Sequence, residues 1–217
     1  MTGRSEMRTL KERWTVEALA AADRAFMKMD PVAAYQGKPP LHPFVSPFGE
    51  HEGRADFRYL PLGVIPAYRR IERADLTGST DARNGQLCCS LVDCVLDRSS
   101  METNLGDKTV QNCTFVRSKF THTSLRGEFV ECNFSHCSLS YARSAQAKFV
   151  RCRFAGANFV GSGFDYCVFD DCSWESARVG NAAFPHCRFI DRWPTPEQFA
   201  DAMIPGARFE RAPSSTP

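Results

Sequence analysis

The chain has 217 residues, and 27 Lys and Arg against 25 Asp and Glu give it a formal net charge of +2. That length fits one domain with a sizeable core, and the near balance of charge excludes a bulk attraction to nucleic acid or to an anionic membrane. The start is charged and no apolar run reaches the roughly 18 residues of a membrane span, so we expect a soluble cytoplasmic protein. Ten cysteines without an export signal are expected to be reduced thiols.

The first predicted element is a helix over residues 15–30, TVEALAAADRAFMKMD. Thr15 is a suitable N-cap, an apolar stripe follows at helical spacing, and Pro31 ends the helix. Residues 31–53 are rich in Pro and Gly and predict an extended segment, so residues 1–55 are expected to cap the N-terminal end of the domain. Residues 54–71 predict one or two strands that lead into the repeats that follow.

From Phe129 onward the sequence repeats every five residues. A large apolar side chain recurs at each fifth position up to Phe189, with Ser144 the exception, and a small residue stands two positions before each. The same rule holds upstream to Leu76 after two one-residue shifts of phase, with a break at residues 77–88. Helices and strands repeat at 3.6 and 2 residues, so this period indicates a chain that turns a corner every five residues. Four such sides make a square coil, and coils stack at about 4.8 Å.

Several segments carry this repeat in its clearest form: RADLTGS, CTFVRSKF, CNFSHCSL, AKFVRCRFAGANFVGSGF and YCVFDDCSW, spread over residues 73–192. They resemble the pentapeptide-repeat family. The resemblance implies that family's right-handed quadrilateral β-helix, an all-β solenoid. We therefore predict about six coils over residues 56–193, between a helical N-terminal cap and a short C-terminal helix.

The two inward series of the repeat form the predicted core. On one side of the coil, the small residues that stack are Cys94, Cys113, Cys132, Cys152 and Cys172. Their large partners are Leu96, Phe115, Phe134, Phe154 and Trp174. Cysteine is therefore interpreted as a small, readily buried residue rather than as a redox group or a metal ligand. His136 and His186 each precede a cysteine but face outward, so we predict no metal site and no cofactor.

Residues 194–217 are predicted to hold a capping helix and a disordered tail. In TPEQFADAM, Thr195, Pro196 and Gln198 have the spacing of a capping box with Pro at the first helical position. Phe199 and Met203 on this helix are expected to cover the last coil. The alternative is that they pair with a second copy, which would make a homodimer through residues 195–210.

The loop GEHEG, residues 49–53, is the best candidate for chemistry. One histidine between two acids suits acid–base or metal chemistry, whereas solvated surface is the simpler interpretation. We predict no catalytic residue, and an enzyme that acts through His51 is the third functional hypothesis.

An outward ladder along one side of the coil is the predicted interaction face. Its apolar members are Val92, Val130, Val150 and Ile190, and its acidic members are Asp93, Glu131, Asp171 and Asp191. An exposed apolar ladder beside an acidic one is typical of a partner face. The alternative is that β-branched residues simply suit strands.

The first functional hypothesis is a non-enzymatic binding module that presents flat faces to a protein partner of unknown identity, and not to nucleic acid or a membrane. The resemblance supplies a second hypothesis, because some family members mimic duplex DNA, bind DNA gyrase or topoisomerase IV and protect these enzymes from inhibitors. Those mimics are strongly acidic. Basic and acidic residues nearly balance over residues 73–192, and Lys148, Arg151 and Arg153 interrupt the acidic ladder. A DNA mimic needs negative charge where phosphates would lie, so the resemblance supports the fold better than this activity.

Overall fold

The structure is a computed structural model that describes residues 2–29, 36, 45–80, 87–102, 104–106 and 108–211. Two helices open the chain, α1 at Thr2–Glu12 and α2 at Val16–Met27, and a 3₁₀ turn lies at Leu62–Val64. The described residues form short strands, β1 to β15 in chain order: Glu50–His51, Arg54–Asp56, Arg70–Glu72, Ala74–Asp75, Ser90–Val92, Asn104–Leu105, Thr109–Gln111, Ser124–Leu125, Glu128–Val130, Arg143–Ala145, Lys148–Val150, Gly163–Asp165, Val168–Asp170, Arg188–Ile190 and Arg208–Glu210. None of the helices in these ranges has both the length and the hydropathy of a membrane span.

The strands stack as the sides of a β-solenoid, as predicted. One side is a sheet of eight strands in the order β15-β14-β13-β11-β9-β7-β5-β3, and another is a sheet of four strands in the order β12-β10-β8-β6. Both are parallel, with partners such as Phe129↔Phe149 and Ser144↔Phe164. Two further sides are held by single-residue parallel bridges such as Asn133↔Arg153 and Asn158↔Arg178.

Each turn of the chain passes these four sides in a fixed order. We name them the eight-stranded face, the first bridge face (residues 173–175 in one turn), the second bridge face (residues 178–180) and the four-stranded face (residues 183–185). Eight passes over the first of them make about seven turns. This is one turn more than predicted, because the solenoid continues beyond residue 193.

Backbone hydrogen bonds between successive coils hold the stack together. The N–H of Phe134 donates to the Arg153 carbonyl at 2.8 Å, and the N–H of Phe154 donates to the Ser173 carbonyl at 2.9 Å. In the other direction, the N–H of Asn133 donates to the Cys113 carbonyl at 2.9 Å. Each coil therefore depends on its neighbours for most of its backbone hydrogen bonds, which is the general condition of a solenoid.

The structure buries both inward series on the first bridge face. All five cysteines and all five large residues of the predicted columns are at most 5% exposed. Small polar side chains in the inward position also bond the preceding coil. The Cys132 thiol donates to the Val110 carbonyl at 3.2 Å, and the Ser118 hydroxyl donates to the Leu96 carbonyl at 2.7 Å. This bond explains why Cys, Ser and Thr share the small position with Ala.

Helix α2 and the turn before it cover the N-terminal end of the core. The predicted helix is confirmed, with the Thr15 side chain accepting a hydrogen bond from the N–H of Ala18 at 3.3 Å. Phe26 is fully buried with its ring centroid 5.2 Å from that of Phe57, and Trp14 stacks on Phe57 at 6.2 Å. Helix α1 was not predicted, and most of the predicted extended segment, residues 30–35 and 37–44, lies outside the described residues.

The predicted C-terminal helix is wrong. The capping box does form, since the N–H of Thr195 donates to Gln198 Oε1 at 2.8 Å, but residues 196–201 make only a turn. The five-residue register then continues, with Met203 bridged to Ala183 and Phe209 paired with Phe189. The backbone N–H and carbonyl groups of residues 203–210 pair with the preceding coil, so they do not need the internal hydrogen bonds of a helix.

The C-terminal end of the solenoid is more exposed than its N-terminal end. Phe209 lies in the last described coil and is 41% exposed, and Met203 is 62% exposed. Stacking is also interrupted on the first bridge face, where the N–H groups of Trp174 and Ser176 have no backbone partner among the described residues. Pro194 follows in the large inward position and has no N–H to offer a further coil.

The core columns give a direct stability prediction. Phe134 is fully buried between Phe115 and Phe154, with ring centroids 4.8 and 5.3 Å away. We expect Phe134→Ala to lower the free energy of unfolding by about 3–5 kcal/mol, because the cavity is walled by rigid stacked rings. Cys132→Ala removes one sulfur and a weak hydrogen bond, and we expect a loss of about 1 kcal/mol. Urea denaturation of both variants checks this order, and equal losses would show that the two inward positions are not distinct.

Candidate functional site

The ten cysteines are buried and are not placed for chemistry. Each cysteine side chain is at most 7% exposed. Burial raises the pKa of Cys137 to about 12, and burial likewise raises the pKa of Cys113 and Cys152. A thiol must ionise to act as a nucleophile. Among the described residues, no group of three or more His, Cys, Asp or Glu side chains is arranged to hold a metal ion.

The predicted interaction face lies on the eight-stranded face. The register aligns Val130 with Val150 and Asp170 with Ile190, so the ladder residues do stack on one another. Their exposure is limited, since Val150 is 9% exposed and Val92, Val130 and Ile190 are half-buried. The acidic members Asp93, Glu131, Asp171 and Asp191 occupy the corner that follows, each with a positive φ.

Charges on this face are paired from one coil to the next. Glu128 lies 3.0 Å from Lys148, Glu131 lies 2.9 Å from Arg151, and Asp171 lies 2.9 Å from Arg192. Each pair is about half exposed and contributes little to stability. The pairs do, however, neutralise the acidic ladder locally, so this face presents alternating charges.

The GEHEG loop contributes a histidine to a polar cavity beneath α1. His51 Nδ1 lies 2.7 Å from Asp75 Oδ2, and Asp75 Oδ1 accepts the N–H of Thr77 at 2.9 Å. The cavity measures about 330 Å³, and helix α1 forms one wall through Glu6, Met7 and Leu10. In the described part of the chain, Asp75 is the one hydrogen-bond partner of the His51 ring, so the pair lacks the nucleophile of a catalytic triad.

A buried ion cluster next to this cavity ties the N-terminal helices to the solenoid. Asp56 is bound by two guanidinium groups, at 2.6 and 2.8 Å from Arg13 and at 2.9 and 3.0 Å from Arg58. Burial opposes ionisation of Asp56, but these hydrogen bonds outweigh it and hold the pKa of the carboxyl well below its usual range. The Arg58 carbonyl in turn accepts the indole N–H of Trp14 at 2.8 Å.

The four-stranded face presents an apolar surface that was not predicted from the sequence. Its outward residues in the C-terminal half of the solenoid are mostly small or apolar: Ala145, Gly163, Ala183, Pro185, Met203 and Pro205. Arg143 and Asp165 are the charged residues in this half. The step of five residues would have placed all of these side chains outward on one side, but nothing in a single sequence ranks one side above another.

Aromatic rings stand at both corners of the four-stranded face. At one corner, Tyr141 is 50% exposed and stacks on His122 at 5.3 Å. At the other, Tyr166 is 56% exposed and stacks on His186 at 4.5 Å. The next coil has glycine under each stack, since a Cβ at Gly161 would lie 2.6 Å from the Tyr141 ring. The rings therefore lie close against the backbone, and we call these two stacks the aromatic rails.

A shallow cavity of about 330 Å³ lies on the four-stranded face. Its walls include Gly163, Ala183 and Pro185, and also Ser144, the small residue that interrupts the large inward series. Both charged residues here are already engaged. Arg143 Nη1 donates to the Gly161 carbonyl at 2.9 Å, and Asp165 Oδ1 lies 3.5 Å from His186 Nδ1. Apart from these two side chains, the surface consists of small and apolar residues and fits a mainly apolar partner.

The Asp56 cluster gives a prediction for stability against pH. Because the pKa of Asp56 is lowered by folding, its contribution is present above the unfolded carboxyl pKa of about 3.9 and is lost as pH falls below it. At neutral pH we expect Asp56→Asn to reduce the free energy of unfolding by about 2–3 kcal/mol, since two guanidinium groups lose a charged acceptor. Urea denaturation from pH 7 down to pH 2.5 measures the difference between the two proteins. We expect it to shrink below about pH 4, and a difference that stays constant would contradict the role of the charge.

The chain can be compared with family models, with curated proteins and with solved structures. Residues 128–165 match the family model described as pentapeptide repeats, in eight copies. No curated protein matches the chain.

Among solved structures, one neighbour is a trypsin-treated variant of QnrB1, a plasmid-mediated fluoroquinolone resistance protein. It is 13% identical, with 64% of this chain and 79% of that chain covered and a TM-score of 0.48. Another is HetL from the cyanobacterium Nostoc sp. strain PCC 7120, a pentapeptide repeat protein involved in heterocyst differentiation regulation. It is also 13% identical, with 65% of this chain and 84% of that chain covered and a TM-score of 0.29.

At these values neither likeness bears on the function of this chain. The five-residue register, the parallel stack of four-sided coils and the family match agree with one another. The chain is a pentapeptide-repeat protein with a β-solenoid fold.

Proposed function

We propose that the chain is a non-enzymatic binding module and that its four-stranded face binds a protein partner. The observation that carries this proposal is the exposed apolar surface between the aromatic rails. Tyr141, Tyr166 and Met203 are each at least half exposed around a floor of small residues. Tyrosine and methionine are enriched in protein interfaces and charged residues are depleted at their centres.

The eight-stranded face is the weaker candidate. Its apolar ladder is buried or half-buried, and its outward charges pair between coils, so a partner would have to compete with existing ion pairs. Val92, Val130, Val150 and Ile190 nevertheless remain the face predicted from sequence, and the experiment below compares the two faces directly.

The proposal of a non-enzymatic role rests on the placement of the reactive groups. The thiols point into the core, and the His51 ring is bonded to a buried carboxylate that also caps the backbone at Thr77. The hydrogen bond between His51 in β1 and Asp75 in β4 has a structural role, because it anchors the β1–β2 hairpin on β4. Catalysis through the GEHEG loop stays the third hypothesis.

Topoisomerase binding by DNA mimicry finds little support in the surface charges. A mimic has to offer rows of negative charge in place of phosphates. On the eight-stranded face, Lys148 and Arg151 lie in those rows and pair with Glu128 and Glu131. This function therefore remains a hypothesis drawn from the family resemblance.

A homodimer through residues 195–210 also stays a proposal, on different grounds from those first given. The helix that was expected to mediate it is absent, but the last described coil leaves Phe209 and Met203 exposed at the end of the core. A second copy that covers this end would bury the same kind of surface that Trp14 and Phe26 cover at the other end.

Site-specific photo-crosslinking in the source cells tests the proposed face. The photoreactive residue p-benzoyl-phenylalanine replaces Tyr166 in one variant and Val130 in another. We expect a discrete crosslinked protein from position 166, lost when Ala183→Glu is added, because a charge is then buried at the centre of the interface.

The matched control is Ala155→Glu, which makes the same change at an outward position of the first bridge face. Crosslinking at position 166 should survive this control. Crosslinks from position 130 alone would favour the eight-stranded face, and the absence of crosslinks from both positions would refute the proposal.

A further inference from the structure

The four-stranded face is too small for a second globular surface. Its apolar part spans the five rungs from Ser124 to Met203, about 19 Å at the usual strand spacing, and one side of the coil is about 15 Å wide. This gives an area on the order of 300 Å², whereas a stable protein–protein interface needs about 800 Å² from each partner. The dimensions suit one segment of a partner chain.

That segment has no free backbone to pair with on this face. Strand β10 is hydrogen-bonded to β8 on one side and to β12 on the other, and Gly163 of β12 is bridged to Ala183. Strand addition requires an open edge. Recognition here must therefore use side-chain packing, which favours a partner element whose own backbone is satisfied internally.

The shape between the aromatic rails matches such an element. An α-helix is about 10–12 Å across with its side chains, and a length of about 19 Å corresponds to about 13 residues. The small residues Ala145, Gly163 and Ala183 let a helix approach the floor, while Tyr141 and Tyr166 stand at opposite corners of successive coils.

The charged residues of the four-stranded face decide which side of a partner helix would fit against it. Arg143 is hydrogen-bonded to the Gly161 carbonyl and Asp165 lies beside His186, so each charged side chain already has a hydrogen-bond partner. The complementary surface is an uncharged apolar stripe at i, i+3, i+4 and i+7.

We propose that the four-stranded face binds one amphipathic α-helix of a partner protein, laid between the aromatic rails with its apolar stripe on Gly163 and Ala183. This inference rests on the proposed function and deepens it by naming the element that is bound. The other occupants, an extended peptide or a second copy of this chain, become outcomes of the test.

Two fluorescein-labelled peptides of 16 residues provide the probe. Both contain the same numbers of Leu, Ala, Glu and Lys. In one the leucines follow the helical stripe, and in the other they alternate at the strand period of 2. Fluorescence anisotropy against the full chain measures binding, and circular dichroism and thermal melts establish that every variant is folded.

We expect the helical peptide to bind with a Kd on the order of 10–100 μM, because the contact area is small and the peptide must be ordered. Ala183→Glu should weaken binding at least tenfold, Ala155→Glu should leave it unchanged, and the alternating peptide should bind at least tenfold more weakly than the helical one. Size-exclusion chromatography with light scattering, with and without Ala183→Glu, reports whether the face is instead covered by a second copy.

Three results would overturn the inference: no saturable binding of the helical peptide at 1 mM, equal binding of the alternating peptide, or a dimer that Ala183→Glu dissociates. If position 166 still gives crosslinks but the helical peptide does not bind, the bound element is not a helix, and the proposal of a binding module is retained. If position 166 gives no crosslinks and the helical peptide does not bind, the proposed function itself is refuted.

Discussion

The backbone hydrogen bonds between successive coils are the constraint on which the rest of this protein depends. A coil of 19 or 20 residues has no internal partner for most of its N–H and carbonyl groups, so it persists only when stacked. Stacking fixes the register, and the register fixes which side chains point inward. The inward thiols and hydroxyls then add a second set of bonds to the preceding coil, as Cys132 does to Val110.

This arrangement separates stability from surface chemistry. Core identity is set by two inward positions in five, which leaves three outward positions to vary without loss of packing. The same scaffold therefore carries a face of paired charges, where Glu131 binds Arg151, and a face of small apolar residues around Ala183. Function in such a fold lies in the choice of outward residues on a flat side, and the four-stranded face is the side that we propose binds a partner.

The sequence predicted the parts of the structure that follow local rules. The step of five residues gave the fold and the buried columns, because each pentapeptide repeats the same turn. The C-terminal helix failed because the capping box of Thr195 and Gln198 is also a local signal, and strand pairing through residues 203–210 outweighed it. Contacts between residues that are far apart in the sequence could not be predicted from local patterns. The bond from Arg13 to Asp56 spans 43 residues, and the apolar surface depends on which sides stack.

Amide hydrogen exchange at matched positions tests the stacking account most directly. The N–H groups of Phe154 and Gly156 donate to the next coil at 2.9 and 2.7 Å, while those of Trp174 and Ser176, one coil further on, have no such partner among the described residues. The account predicts that the first pair exchanges at least a hundredfold more slowly than the second, at a rate set by opening of the stack. Equal exchange at all four positions would contradict it.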